Sequence, residues 1–517
     1  MSNILRALLT ISALAVPSVG QAQPVSGGRA NLIVQPEPPS LMLGLVTNAP
    51  TQLVAGQIYE GLLRYDDKLK PLPSLAKSWD ISPDGLRYTF HLNQGVTWHD
   101  GKPFSSADVL FSVNEFLMKT QPRHRNTMTR VADVGAPDDH TVVFTLKEPF
   151  EPFIRSFAFW VMPMVPKHIY AGTDYASNPA NDRPIGTGPF KFESWRKGSA
   201  IHLVKNEAYY LAGKPYLQDI YYHVIPDGAS RAVAYETGKV DVLPGGSVEN
   251  FDVPRLTALK NTCVSQKGQE FDSPLSFLWL NNRKPPMNDV RFRQAVMYAM
   301  DRQFALDVLW NGIGKVATGP IAGTTPFYKS VQPQYPHDPK KAKALLAEMH
   351  YDGKPLKLLP LPYGETWQRW AEAVKQNLGE VGIPVEIQAT DVAGWNQRVS
   401  QWDYDMAFTF LFQNGDPALG VERNYITSQI SKGNPWNNVE GYSNPTVDAL
   451  FAKAALATPA EKRQDLYDEV QKAVQADVPV AWLLDLRFPV IYRCNVQDLI
   501  TTANGLNDSL RDTWIKR

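Results

Sequence analysis

Apolar and polar positions alternate cleanly in the first third of the chain. Leu86, Tyr88, Phe90 and Leu92 stand against Arg87, Thr89, His91 and Asn93, which predicts a half-buried strand after the turn Ser82-Pro83-Asp84-Gly85. Val142, Phe144 and Leu146 repeat the pattern after Pro137-Asp138-Asp139. Between them, Ser105-Ser106-Ala107-Asp108 reads as a capping box opening a helix through Val109, Leu110 and Val113. Phe190 and Phe192 alternate with Lys191 and Glu193, followed by Trp195, the turn Arg196-Lys197-Gly198-Ser199 and a partner strand from Ala200 to Lys205. This is a hairpin. In the second half the period lengthens: Phe292, Ala295, Val296, Ala299 and Met300 mark one face of a helix from about 290 to 310. Asp338-Pro339, Asn444-Pro445 and Thr458-Pro459-Ala460-Glu461 each open a further helix, with a capping residue before a proline. Strands and helices mix throughout without tandem repeats, so the expected class is α/β or α+β, with domains joined by short crossings.

The N-terminus carries an address. Arg6 precedes the apolar run Ala7 to Val16, and Gly20-Gln21-Ala22 sets small residues at the cleavage positions. Residues 1–22 therefore read as a secretory signal peptide, too short to span a bilayer. No cysteine follows the apolar core, so lipid anchoring is not expected, and the mature protein is expected to be soluble and exported to the periplasm. At 517 residues the chain has room for two or three domains. Lys+Arg and Asp+Glu both number 52, a balance that offers no electrostatic footprint for nucleic acid. Cys263 and Cys494 are the only cysteines, too few for a thiolate metal site. They either pair or remain as buried thiols.

Three motifs resemble sites of chemistry. Gly186-Thr187-Gly188-Pro189 lacks the third glycine of a dinucleotide loop and the Lys-Ser/Thr of a phosphate loop, and Pro189 removes an N–H donor. It is a bend that launches the hairpin. Ser74-Leu75-Ala76-Lys77 fits the S-x-x-K pattern of periplasmic serine hydrolases, but the partner motifs S-D-N and K-T-G do not occur. Such a hydrolase is the remote alternative. Trp98-His99-Asp100-Gly101 contains a turn signal, and the scattered histidines form no H-E-x-x-H pair, so no metal or cofactor is expected.

The ordered stretches "YEGLLRYDDKLKPLPSLAKSWDISPDGLRYTFHLNQGVTWHDGKPFSSADVLFS", "PIGTGPFKFESW", "NNRKPPMNDVRFRQAVMYAMDRQ" and "GYSNPTVDALFAKA" together make the chain similar to a known family. It resembles the extracellular solute-binding proteins of the peptide/nickel/opine class, family 5, which serve ATP-binding-cassette importers. The resemblance implies a two-lobed flytrap. The first lobe comprises 24–58, 185–270 and 486–517, an extra domain is inserted at 59–184, and the second lobe spans 271–485. It also implies a monomer without enzymatic activity that passes a small organic solute to a membrane permease with its ATPase subunits.

Peptide binders of this family hold the peptide's α-ammonium on the first aspartate of a D-x-x-[DE]-P segment. The matching segment here is Gln413-Asn414-Gly415-Asp416-Pro417, with a neutral amide at that first position. A glutamine accepts a hydrogen bond but supplies no counter-charge for a buried ammonium. The expectation is a peptide or a peptide-like or opine-like solute, with an oligosaccharide or aromatic acid as the alternative, and with Gln413→Asp improving affinity for dipeptides. Ligand-binding candidates are Thr47, Asn48, Trp160, Trp395, Phe410, Gln413, Asn414 and Asp416, each weighed against a turn or core role.

Overall fold

The computed structural model describes residues 23–517, so the expected signal peptide lies outside the described residues. Three main sheets organise the chain. A seven-stranded sheet runs in the order Thr262–Ser265, Val490–Arg493, Val242–Leu243, Arg29–Val34, Asp219–Val224, Ala200–Lys205, Phe190–Arg196. A six-stranded sheet runs Lys315–Val316, Val480–Asp485, Leu275–Leu280, Met406–Leu411, Leu356–Leu359, Val385–Ile387. An antiparallel four-stranded sheet is built from Ala76–Ile81, Arg87–Leu92, Thr141–Leu146 and Val131–Asp138. Its two inner strands have one face buried, which is why they alternate in sequence. Leu275–Leu280 and Val480–Asp485 are buried on both faces and so lack the polar alternation, with Ser276 and Asp485 their only polar residues.

Burial separates two large apolar cores. One joins the seven-stranded sheet to the four-stranded one through side chains such as Leu32, Tyr59, Phe90, Phe144 and Phe157. The other gathers around Trp279, Phe292, Trp370, Phe408 and Trp482 on the six-stranded sheet. This is a two-lobed fold with an extra domain packed into the first lobe. The chain passes between lobes twice, between Ser265 and Leu275 and between Asp485 and Val490. Thr262–Ser265 and Val490–Arg493 pair antiparallel beside these crossings, and Cys263 and Cys494 form a disulfide.

The Gly-Thr-Gly bend owes its glycines to close approach rather than to backbone freedom. A Cβ on Gly186 would stand 1.8 Å from the Ile58 carbonyl oxygen, and one on Gly188 2.4 Å from that of Gln57. Thr187 donates to the buried Glu60 carboxylate at 2.9 Å, which also accepts from Tyr209 and Tyr210. His99 braces the same bend: its Nε2 donates to the Gly188 carbonyl at 3.0 Å, and its Nδ1 accepts from the Gly186 N–H at 3.3 Å. Burial pushes that imidazole down to about 4, so it is neutral and structural at pH 7. Ser74 lies between the strands Pro71–Pro73 and Ala76–Ile81, not at a helix start, so the S-x-x-K geometry is absent there.

Helix starts follow their caps. Ser105 and Asp108 complete the capping box, and Asp338 and Asn444 accept from the first-turn N–H groups of Pro339–Glu348 and Pro445–Leu456. Two expectations needed correction. The helix from about 290 to 310 breaks after Val290–Ala299, because Asp301 accepts from the Phe304 N–H and caps a new start. Ala460–Asp477 begins behind Pro459 without a side-chain cap, so Thr458 does not serve as one.

Candidate ligand-binding site

Where the two lobes face each other, a cavity of about 50 Å³ remains. Three parts of the chain build its wall. The first is the short helix Pro122–Met128, started by its proline. Arg123, Asn126 and Thr127 recur at i, i+3 and i+4 and face the cavity together. The second is the turn from Arg155 to Val161, which supplies Arg155, Ser156 and Trp160. The third comes from the second lobe: Asn414, Ala418 and Leu419, with Phe271 from the crossing beside them. A space this size holds a water or two. A solute as large as a dipeptide requires the lobes to part.

Trp160 is buried, meets Phe271 edge to face at 5.8 Å and lies under the Arg123 guanidinium at 5.0 Å. Arg123 keeps an exposed side chain and makes no ion pair or side-chain hydrogen bond among the described residues. Its acidic neighbour is Asp272, whose carboxyl burial pushes up to about 6 against the pull of Arg123. Among the described residues Arg423 finds only the carbonyls of Gly420, Trp436 and Phe412, and burial, with Arg123 nearby, presses it down to about 9. Asn414 is in the left-handed region at φ 54°; its amide donates to the Leu419 carbonyl while its buried Oδ1 has no partner.

Gln413 and Asp416 flank this wall but are committed elsewhere. Gln413 Oε1 accepts from the Ala322 N–H at 2.9 Å and the Thr325 hydroxyl at 2.7 Å, and its Nε2 donates to the Pro320 carbonyl at 2.9 Å. Asp416 is fully buried, accepts from the Ala418 N–H, and pairs with Arg463 at 2.8 Å. Trp395 packs in the second lobe between Trp279 and Trp436. Phe410 stacks on Trp367 and meets Phe412 and Phe488. Asn48 caps the helix Ala49–Ala55 by accepting from the Thr51 N–H, and the Thr47 carbonyl accepts from Gln52. Of the eight candidates, then, the structure brings Trp160 and Asn414 to the cavity. Arg123, Arg155 and Phe271 were missed, although the i, i+3, i+4 set on Pro122–Met128 was a readable signal.

Away from the cavity, Glu249 of the first lobe reaches across and caps Glu365–Glu380 of the second. It accepts from the Glu365 N–H at 3.3 Å and the Thr366 hydroxyl at 3.1 Å. No cluster of three His, Cys, Asp or Glu side chains among the described residues is placed to hold a metal ion.

The description "Bacterial extracellular solute-binding proteins, family 5 Middle" matches residues 70–431. The chain belongs to this family. Among family relatives, the glutathione-binding protein GsiB of Pectobacterium atrosepticum is 29% identical over 443 residues, covering 84% of each chain. The probable D,D-dipeptide-binding periplasmic protein DdpA of Escherichia coli is 30% identical over 431 residues, covering 82% of this chain and 81% of its own. Among solved structures, the periplasmic binding protein DppA of Helicobacter pylori, in complex with the peptide STSA, superposes with a TM-score of 0.83 at 26% identity. That match covers 95% of this chain and 99% of DppA. As a family 5 protein the chain is a solute-binding component of an ABC importer. In this member the Gln413 side chain is turned into its own lobe by three hydrogen bonds.

Proposed function

We propose that the protein captures a small peptide-like or opine-like solute carrying a carboxylate, closes its lobes over it and hands it to an ABC permease. The carrying observation is the unpaired Arg123 guanidinium over Trp160 at the cavity wall. A planar guanidinium with unused donors matches a carboxylate in bidentate geometry. Arg423 adds a second cation without an acidic partner, and Asn414 Oδ1 offers an acceptor to a ligand N–H. On the other side of the balance, Gln413 supplies no charge for an ammonium. Ligand contacts with both lobes favour the closed state, because the open state lacks them. The protein is read as a monomer without bond-making chemistry, exported through residues 1–22. The peptide-binding names and bound peptide of its relatives support the solute class.

Native mass spectrometry of the purified protein, to identify co-purified solute, and a thermal-shift panel test this reading. The panel holds di- and tripeptides, their N-acetyl forms, their C-terminal amides and N-carboxyalkyl amino acids. Compounds with a free carboxylate raise the midpoint whether or not the amine is blocked, and Arg123→Ala abolishes the shift. Equal shifts from acids and amides overturn the carboxylate assignment.

A further inference from the structure

Behind the cavity wall, four charged side chains close a ring that crosses the lobe boundary twice. Glu151 and Arg155 belong to the extra domain and pair at 2.9 Å, four residues apart on one turn. Asp416 and Arg463 belong to the second lobe and pair at 2.8 Å. Across the boundary, Arg463 reaches Glu151 at 2.7 Å, and Arg155 stands 3.8 Å from Asp416. Signs alternate around the ring and sum to zero.

The two halves are self-sufficient. When the lobes part, Glu151 keeps Arg155 and Asp416 keeps Arg463, so no charge is stranded without a partner. When they meet, the inner pair adds two cross-lobe contacts around side chains that are almost wholly shielded: Asp416 has 0% and Arg463 2% of its side chain exposed. Opening therefore costs little in desolvated charge, and closing gains contacts that salt screens only in part. Arg155 also lines the cavity, and its buried Nε has no partner. The ring thus holds a cavity-wall side chain in place from behind.

We propose that Glu151, Arg155, Asp416 and Arg463 form a closure clasp that sets the balance of open and closed lobes and positions Arg155 at the ligand site. This rests on the two-lobe closure of the proposed function. Asp416, a ligand-binding candidate set against a loop role, is in this account a positioning residue acting through Arg155.

The test is the inter-lobe distance distribution of the full chain without added solute. It is read by single-molecule FRET between dyes on non-canonical residues at the exposed positions Asp139 and Lys343. Glu151 is half exposed, so Glu151→Gln leaves the cores intact. It should lower the closed-to-open ratio about two- to tenfold at low salt. The wild-type ratio should fall as salt rises toward 0.5 M but stay above that of the variant, which itself responds weakly. Ala418→Trp, which overfills the cavity, serves as a wedge that forces the lobes apart. If the wedge opens the protein but Glu151→Gln matches wild type at every salt concentration, the clasp is overturned and lobe closure stands. If even the wedge leaves the distance unchanged, lobe closure fails and the clasp fails with it.

Discussion

Replacing Gln413 with aspartate restores the acid that peptide binders carry at this position, and the structure assigns it a cost. Gln413 is 3% exposed, and all three of its side-chain hydrogen bonds go to the segment from Pro320 to Thr325. Aspartate is one methylene shorter and has no N–H, so the Pro320 carbonyl loses its donor. An orphaned buried carbonyl costs about 1–3 kcal/mol. The retained Ala322 N–H and Thr325 hydroxyl partly stabilise a carboxylate, but its burial adds a further penalty, for a total of about 2–4 kcal/mol. For a domain of 150–250 residues, each kcal/mol moves the midpoint by about 2–4 °C, so the second-lobe transition should drop by roughly 5–15 °C. Burial raises the new carboxyl's pKa, so the loss should be larger at pH 8 than at pH 5. Calorimetry at the two pH values, with a dipeptide titration on the same sample, gives both readouts. A variant as stable as wild type that gains dipeptide affinity would refute the reasoning, because the new side chain would then be turned to the cavity.

Glu440 is fully buried, neither carboxylate oxygen has a partner, and burial pushes its carboxyl from 4.5 up to about 8 despite Arg283 nearby. The folded state therefore binds the extra proton between those values. The contribution of this group should be complete below about pH 4.5 and be lost, on the order of a few kcal/mol, as pH rises toward 8. Glu440→Gln should flatten this slope in urea titrations across pH; an unchanged slope would count against the assignment. Gly186→Ala should yield insoluble or unfolded protein, since its Cβ meets the Ile58 carbonyl, whereas Gly172→Ala, with open space around its Cβ but φ 76°, should cost only about 1 kcal/mol by circular dichroism melts. Reducing the Cys263–Cys494 bond should lower first-lobe stability by about 2–5 kcal/mol in chemical denaturation, and no change would mean that strand pairing alone secures that edge.

Sequence was most legible where one face of an element meets water. The strand Arg87–Leu92 and the helices behind Asp338 and Asn444 follow from alternation and caps. The central strands of the second lobe do not alternate, because both faces are buried. The site was harder to read, because its wall is assembled from segments nearly 300 residues apart. Trp160 and Asn414 are recognisable by type and position, yet nothing local shows that Arg123 lies over the Trp160 ring. The identity of Gln413 says only that it carries no charge; its partners at 320–325, far off in sequence, hold it away from the cavity.

The pairing of Thr262–Ser265 with Val490–Arg493, reinforced by the Cys263–Cys494 bond, limits how the lobes can move. The outgoing and returning chains leave the first lobe as one fastened ribbon and cannot slide past each other. Translation of one lobe along the other is thereby blocked at the root, leaving bend and twist in the residues between Ser265 and Leu275 and between Asp485 and Val490. Lobes fastened in this way would move with the freedoms of a door on a fixed pin, and each closure would return the same side chains to the same partners.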